Sequence, residues 1–335
     1  MCRLTACSLP AALLLASNAV AAVQHPLTIN IKGQRRDYIL VTPNVRPHGA
    51  RPLVLVLHGH IGTAANALGA GFAPSPLSAW LEIAEREKIY VAALQGLKGA
   101  DGRTGWHDCR NDGPSNPRFD DVALAAGVVH SLVRAGRADP ERIYVMGMSN
   151  GATMSYRLAL EMHPRPAAIA AASGTMATHS ACTGEAHPVS VLIIHGTDDP
   201  IAPYDGGEVR LLGSKTGSVT GAEATRDFWL QVDGLQGVTP ITYMFPHLGS
   251  DGTSAVKMTY GPDEGPQVEL LTVERGGHVE PSLRFHYGLV YRVLVGAQSG
   301  DLESAEEAWR FFRAKTPIHG AGNIFAPKPV DAGTP

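Results

Sequence analysis

Apolar residues follow two different patterns along the chain. Residues 27–31 and 36–42 alternate apolar and polar side chains, which is typical of half-buried antiparallel strands at the edge of a sheet. Residues 53–57 are apolar at every position and run directly into His58-Gly59, as expected for a central strand that is covered on both faces. The same continuous pattern predicts further central strands at 89–94, 143–146, 167–172, 191–194 and 268–273.

Stretches with helical spacing lie between these strands. The pattern predicts helices at 78–88 (opening with Ser78 as a cap), 120–134, 150–162, 222–231 and 302–315. Strands that alternate with helices indicate a parallel sheet with right-handed crossovers. The expected fold class is therefore α/β, with a mostly parallel central sheet, helices on both faces and a single domain spanning residues 23–315.

Other stretches lack a regular period. Residues 95–118 are rich in Gly, Asp, Asn and Pro and are predicted to form a long surface loop around Trp106. Residues 239–267 mix Gly and Pro with short strand-like pieces such as 255–260. Residues 316–335 are rich in Pro, Gly and Ala and are predicted to be a disordered tail.

The N-terminus has the three parts of a secretory signal. Arg3 precedes an apolar stretch at 9–23, and Ala19-Val20-Ala21 supplies the small residues of a cleavage site. We therefore expect residues 1–22 to be a signal peptide and the protein to be secreted or periplasmic. A membrane anchor is the alternative, but fifteen residues interrupted by Asn18 are short for a bilayer span. A lipidation site at Cys7 is a further alternative, although Leu4-Thr5-Ala6-Cys7 precedes the apolar stretch.

Two of the four cysteines lie in this signal, which leaves Cys109 and Cys182 in the mature chain. In an exported protein two cysteines most simply form one disulfide, and two buried free thiols are the alternative. Neither cysteine has the spacing of a redox or zinc motif, so no metal or cofactor is expected. The net charge of −3, with 18% charged residues, gives no reason to expect nucleic acid or a membrane as a partner.

The strongest chemical motif follows the predicted strand at 143–146. There the chain reads Gly147-Met148-Ser149-Asn150-Gly151, which is GxSxG between a strand and a helix. In this context the serine sits on a strained turn that lifts its hydroxyl clear of the sheet, and the following helix points its dipole at the site. We therefore expect Ser149 to be a nucleophile. A tight turn with a capping serine is the alternative.

A serine nucleophile needs a base, and the base needs a carboxylate that orients it. In α/β hydrolases these partners follow the serine in the order acid, then histidine. The acid is expected after the strand at 191–194, where Asp198 and Asp199 compete. We favour Asp199, because Pro200 biases it towards an extended conformation; an Asx turn is the alternative structural role.

Fourteen histidines compete for the role of base. The base should lie in a loop after the last core strand, and Gly276-Gly277-His278 is that loop, so we favour His278. His286 is the competitor, but its surroundings predict the interior of a helix. His58 and His195 end strands and are expected to line the site.

An oxyanion hole needs two backbone N–H donors. One is expected from Asn150, directly after the nucleophile, and the other from the loop after the strand at 53–57, where His60 is the favoured residue.

With these residues assembled, the sequence resembles the poly(3-hydroxybutyrate) depolymerase-type esterases, a family of α/β hydrolases that also contains bacterial feruloyl esterases. The resemblance spans roughly residues 51–281. Three of the matching pieces are Leu57-His58-Gly59, Gly147-Met148-Ser149-Asn150-Gly151 and Gly276-Gly277-His278. The most specific piece is His195-Gly196-Thr197-Asp198-Asp199-Pro200 together with Pro203-Tyr204-Asp205-Gly206-Gly207.

The resemblance implies Asp199 as the acid and a serine esterase without a cofactor. The chain departs from the family directly after the histidine. The family often has Thr-Trp-Pro at these positions, whereas this chain has Val279-Glu280-Pro281. Loss of that Trp favours soluble hydroxyalkanoate or feruloyl and aryl esters, small or oligomeric, over a solid polymer. An acyltransferase or a prolyl-type peptidase shares the same catalytic residues, and a non-catalytic binding protein is the alternative outside enzymes. The oligomeric state is left open.

Overall fold

The computed structural model describes residues 22–71 and 75–318. Almost all of the expected signal peptide and most of the expected tail therefore lie outside the described residues. The strands are β1 Val23–Ile31, β2 Gln34–Thr42, β3 Arg51–Leu57, β4 Tyr90–Leu94, β5 Leu97–Lys98, β6 Thr104–Gly105, β7 Ala138–Met148, β8 Ala168–Ala172, β9 Ser190–Gly196, β10 Gly206–Leu211, β11 Ser214–Thr220, β12 Ile241–Met244, β13 Ser254–Tyr260 and β14 Val268–Glu274.

The helices alternate with these strands, as the sequence predicts. They are α1 Ala64–Ala67, α2 Trp80–Glu87, α3 Asp121–Arg134, α4 Asn150–Glu161, α5 Ala222–Val232, α6 Leu289–Val295 and α7 Ser304–Phe312, and a 3-10 turn at Pro76–Ala79 leads into α2. No helix within the described ranges is long and apolar enough to cross a membrane.

Ten strands of the described chain form one sheet in the order β1-β2-β4-β3-β7-β8-β9-β14-β13-β12. The neighbours from β4 to β14 pair in parallel. Strands β1 and β2 extend one side and β13 and β12 the other, all in antiparallel pairs. The predicted mostly parallel central sheet is confirmed, and so are the antiparallel strands near the N-terminus.

Helices cover both faces of this sheet. Leu53, Leu55 and Leu57 of β3 pack in one hydrophobic cluster with residues of α3, α4 and α5. Val54 and Val56 point the other way, into a cluster with α2 and α7. Because successive strand residues face opposite sides, a strand covered on both faces must be apolar at every position. This is the physical origin of the continuous apolar runs in the sequence.

Several local predictions were wrong. Ser78 does not cap α2, because its hydroxyl donates to the Ser75 carbonyl within the 3-10 turn. The helix expected around His286 begins only at Leu289, so His286 lies in an irregular segment. The hairpin of β10 and β11 was not predicted, because it is short, polar and rich in glycine and therefore resembles a loop.

Candidate active site

Ser149 lies at the junction of β7 and α4, at the carboxyl edge of the parallel strands. Its backbone has φ 57° and ψ −121°, a conformation that L-residues rarely adopt. The glycines on either side are required by close packing. A Cβ at Gly147 would collide with the backbone of Gly151, and a Cβ at Gly151 would lie 2.6 Å from the His58 carbonyl oxygen. The half-buried serine is thus held in the tight turn between β7 and α4, which packs against the end of β3.

His278 lies beside this serine. Its Nε2 is 2.8 Å from Ser149 Oγ, and its Nδ1 is 2.8 Å from Asp199 Oδ2. Because an ionised carboxylate only accepts hydrogen bonds, Nδ1 carries the proton and Nε2 is left free to accept one from the serine. The three residues therefore form one continuous chain of hydrogen bonds.

The paired glycines before His278 are required by close packing rather than by an unusual backbone conformation. Neither Gly276 nor Gly277 has a positive φ. A Cβ at Gly277 would instead lie 2.6 Å from Gly296 Cα, where the chain leaves α6. The His278 N–H also donates to the Val295 carbonyl at 2.5 Å. Close packing against the end of α6 thus fixes the position of the histidine.

Asp199 is buried and well supplied with donors. Its Oδ1 accepts the N–H groups of Ile201 and Ala202, each at 2.8 Å. Burial alone would raise the pKa of this carboxyl, but the charge of His278 and hydrogen bonds from His195 and His278 outweigh it and hold the pKa below its ordinary range. Asp199 is therefore ionised at neutral pH.

The other candidate acid and histidines occupy different positions. Asp198 is exposed, and its Oδ1 accepts only a long hydrogen bond from the Thr197 hydroxyl. His195 Nε2 lies 2.8 Å from the Ala202 carbonyl oxygen and 3.3 Å from Asp199 Oδ2, so this ring supports the carboxylate from behind. His286 is exposed.

Both nitrogens of His58 are engaged by backbone groups. Nε2 accepts the Gly96 N–H at 3.0 Å, and Nδ1 donates to the Gly59 carbonyl at 2.7 Å. Burial lowers the pKa of His58 to about 4, so the imidazole is neutral. It packs against the Trp106 ring, with 4.8 Å between the ring centroids. His58 therefore shapes the floor of the site.

The two residues predicted to supply the oxyanion hole lie next to Ser149. Asn150 is the first residue of α4, so its N–H has no carbonyl partner within the helix. His60 lines the space beside Ser149 and Asn150, and its Nε2 lies 2.8 Å from Asp101 Oδ2. The structure thus brings both residues to the nucleophile, and their role as donors remains a proposal.

The loop at 95–118 is not the surface loop that its composition suggests, because its central residues are buried. Asp108 accepts hydrogen bonds from Arg110, from Asn116 and from the Asn150 side-chain amide at 2.6 Å. Asn150 Oδ1 in turn accepts the Trp106 N–H at 2.7 Å. A charged cluster that is buried by tertiary packing has no signature in hydrophobic periodicity, so the sequence did not reveal it.

A disulfide joins this loop to a distant part of the chain. Cys109 bonds to Cys182, with 5.1 Å between their Cα atoms and 73 residues between them in sequence. The predicted pairing is confirmed. The bond lies next to Asp108 in sequence and so adjoins the buried cluster that anchors Asn150.

A cleft of about 730 Å³ opens at Ser149 and His278. Its walls combine apolar and aromatic side chains with one buried acid. They include Leu77, Leu212, Glu280, Tyr287, Tyr291, Leu294 and Val295. A smaller pocket beside Ser149 is lined by Ile201, Val209 and Val219. The sequence alone assigned no role to Glu280. The position could have been singled out, because Glu280 stands where the family often has Trp.

The site has a serine on a strand–helix turn, linked to a histidine and an acid from later loops. Together with the mostly parallel sheet, this arrangement is that of the α/β-hydrolase class. Residues 48–210 match the family described as phospholipase/carboxylesterase. The protein is 31% identical over 292 residues to "Putative esterase NocK" of Nocardia uniformis subsp. tsuyamanensis, covering 84% of this chain and 80% of that protein. The chain therefore belongs to this family of carboxylic ester hydrolases.

Two further comparisons agree. Feruloyl esterase B of Piromyces equi is 26% identical over 235 residues, which span 69% of this chain and 40% of that enzyme. The solved structure of an acetyl xylan esterase from Aspergillus awamori superposes with a TM-score of 0.53 at 15% identity and covers 87% of this chain and 99% of that one. At this identity the structural match supports the fold alone.

Proposed function

We propose that the protein is an exported serine esterase that works through Ser149, His278 and Asp199 and through an acyl-enzyme. The observation that carries the proposal is the chain of hydrogen bonds from Ser149 Oγ through the His278 ring to Asp199, at 2.8 Å on each side of the ring. A neutral imidazole in this tautomer is the base that a serine hydroxyl needs.

In the first half of the reaction, Ser149 Oγ forms a bond to the ester carbonyl carbon while its proton moves to His278 Nε2. The carbonyl oxygen becomes an oxyanion, and the N–H groups of Asn150 and His60 are the proposed donors that stabilise it. When the tetrahedral intermediate collapses, the bond to the alcohol oxygen breaks and His278 gives that oxygen the proton. Ser149 is left acylated.

In the second half, water attacks the acyl-enzyme and gives its proton to His278. Collapse of the second intermediate breaks the bond to Ser149 Oγ, which takes the proton back and releases the acid. Asp199 stays ionised throughout and stabilises the imidazolium that forms in each half. Its two backbone donors and His195 keep the carboxylate in place.

The lining of the cleft supports the proposal that the substrates are soluble aryl, feruloyl or hydroxyalkanoate esters. Its aromatic and aliphatic walls suit an acyl or alcohol group of moderate size. The similarity to feruloyl esterase B points the same way.

Export is supported by the disulfide. Bonds between cysteines persist in oxidising compartments and are rare in the cytosol. The bond between Cys109 and Cys182 therefore agrees with a secreted or periplasmic location, which the N-terminal pattern predicts.

A fluorophosphonate probe tests the proposal directly. We expect the wild-type protein to be labelled at Ser149, located by peptide mass spectrometry, and to hydrolyse p-nitrophenyl and methyl cinnamate esters. Ser149→Ala should lose the label and about 10⁴-fold or more of kcat, as other triad variants do, with an unchanged Tm. Ser131→Ala on α3 is the control and should behave as wild type. Activity retained by Ser149→Ala would refute the assignment.

A further inference from the structure

Glu280 is a buried acid in the substrate cleft that the proposed mechanism does not use. It follows His278 by two residues and is 1% exposed. It lines the cleft together with Ser149 and His278. Its Oε2 has no hydrogen-bond partner among the residues that the structure describes. The backbone is fixed, because the Glu280 carbonyl accepts a hydrogen bond from Gln298 Nε2 at 3.0 Å.

A second buried acid nearby shows how an acid with a structural role is satisfied. Glu303 accepts hydrogen bonds from the Ser282 hydroxyl at 2.9 Å and from Arg284 Nε at 3.4 Å. Within the described ranges no cation or hydroxyl group hydrogen-bonds the Glu280 carboxyl, which is contacted by its own backbone N–H. A buried polar atom without a partner is unfavourable, so a side chain of this type in a binding cleft points to a ligand.

The surroundings of Glu280 indicate the chemistry of that ligand. The rings of Tyr287 and Tyr291, whose centroids lie 4.5 Å apart, and the side chains of Leu294 and Val295 line the same cleft. Burial, reinforced by the nearby charge of Glu303, raises the pKa of Glu280 to about 7. In its neutral form a carboxyl group both donates and accepts a hydrogen bond, as a hydroxyl group does.

We infer that Glu280 hydrogen-bonds a hydroxyl group of the ester substrate and so selects hydroxylated esters over their unsubstituted analogues. This inference rests on the proposed esterase function. The hydroxyl can belong to an aromatic ring or to an aliphatic acyl chain, and both present the same donor and acceptor to the carboxyl group. A site built to bond a hydroxyl discriminates against a substrate that lacks it, because the buried group is then left without a partner.

Matched ester pairs test this inference in the full-length mature protein. We would measure kcat/KM for methyl 4-hydroxycinnamate, its 4-methoxy analogue and methyl cinnamate, and for ethyl 3-hydroxybutyrate and ethyl butyrate. We expect the wild-type protein to prefer the hydroxylated member of at least one set about tenfold or more. Glu280→Met should abolish that preference. Glu280→Gln should keep part of it, because an amide also donates and accepts.

Asp233→Asn is the matched control. Asp233 is another buried acid whose pKa burial raises to about 7, but it caps α5 and accepts the Val189 N–H outside the cleft. Its variant should keep the wild-type preference. The inference is overturned if the wild type shows no preference in either set, or if Glu280→Met retains the preference for the hydroxylated ester. Preference for a choline ester would also overturn it, because the carboxylate would then bind a cation rather than a hydroxyl group. If no ester is hydrolysed and Ser149 is not labelled, the proposed function itself has failed.

Discussion

At the scale of single residues, two adjacent acids differ completely in their surroundings. Asp199 bonds His278 and two backbone N–H groups, whereas Asp198 faces solvent. We expect Asp199→Asn to lose about 10⁴-fold in kcat, because an amide stabilises the wrong tautomer of the base. Asp198→Asn should stay within a few-fold of wild type. Steady-state kinetics on one ester compares the two variants, and the reverse order of damage would move the role of the acid to Asp198.

Asp233 gives a residue-scale prediction about stability. Burial raises its folded-state pKa to about 7, above the ordinary value of 3.8. The folded state therefore holds this proton more tightly, and stability from this group is complete below pH 4 and is lost as the pH rises through 7. At pH 8 Asp233→Asn should melt about 2–4 °C above wild type, the shift produced by roughly 1 kcal/mol in a domain of this size.

The measurement for Asp233 is Tm against pH between 5 and 8. The wild-type curve should fall more steeply over this range than the curve of Asp233→Asn. Asp227→Asn, an exposed position on the same helix, is the control and should follow wild type. Parallel curves for wild type and Asp233→Asn would contradict the assignment of this titration.

Much of the candidate site could be selected from the sequence, because each of its main residues lies within four residues of the end of a strand with a recognisable apolar run. Ser149, Asp199 and His278 were chosen in this way, and the structure brings them into contact. Glu280 and Asp108 could not be assigned a role. Their significance depends on burial and on partners from distant segments, and neither leaves a periodic pattern in the sequence.

At the scale of elements, the contact between α4 and β3 leaves no room for a side chain at Gly151. An added Cβ would meet the carbonyl oxygens of Leu57 and His58. We expect Gly151→Ala to displace the start of α4, with a loss of about 2 kcal/mol or more in unfolding free energy and a large loss of activity. Urea unfolding and ester hydrolysis measure both effects.

Gly288→Ala is the control for this prediction. Gly288 precedes α6, its φ of −61° suits any residue, and nothing lies within 4 Å of an added Cβ. This variant should unfold at the wild-type urea concentration. Wild-type stability in Gly151→Ala would show that the helix can move away from β3 without cost.

The burial of each element explains why some elements were predicted from the sequence and others were not. The central strands were found because two-sided burial makes them apolar throughout. The hairpin of β10 and β11 has only a few buried positions, and residues 283–288, directly before α6, have no buried position. Where tertiary contacts rather than local periodicity determine the conformation, hydrophobic pattern carries little information.

At the scale of the whole molecule, the disulfide connects segments that belong to different crossovers of the sheet. Opening it in the double variant Cys109→Ser/Cys182→Ser should lower the unfolding free energy by about 2–4 kcal/mol, chiefly because the unfolded chain is less constrained. Urea titration of the variant, beside wild type with and without reductant, measures the loss. Reduced wild type should match the variant. Free thiols alkylated in an unreduced, denatured sample would rule the bond out.

The backbone of Ser149 has a consequence for laboratory evolution. A non-glycine residue at φ 57° and ψ −121° carries strain of about 1–3 kcal/mol, which the surrounding fold sustains. Glycine at this position would release the strain and would also remove the nucleophile. A mutant library screened for heat resistance alone would therefore enrich variants that are more stable but inactive. A screen of this enzyme has to select for catalytic activity at every round.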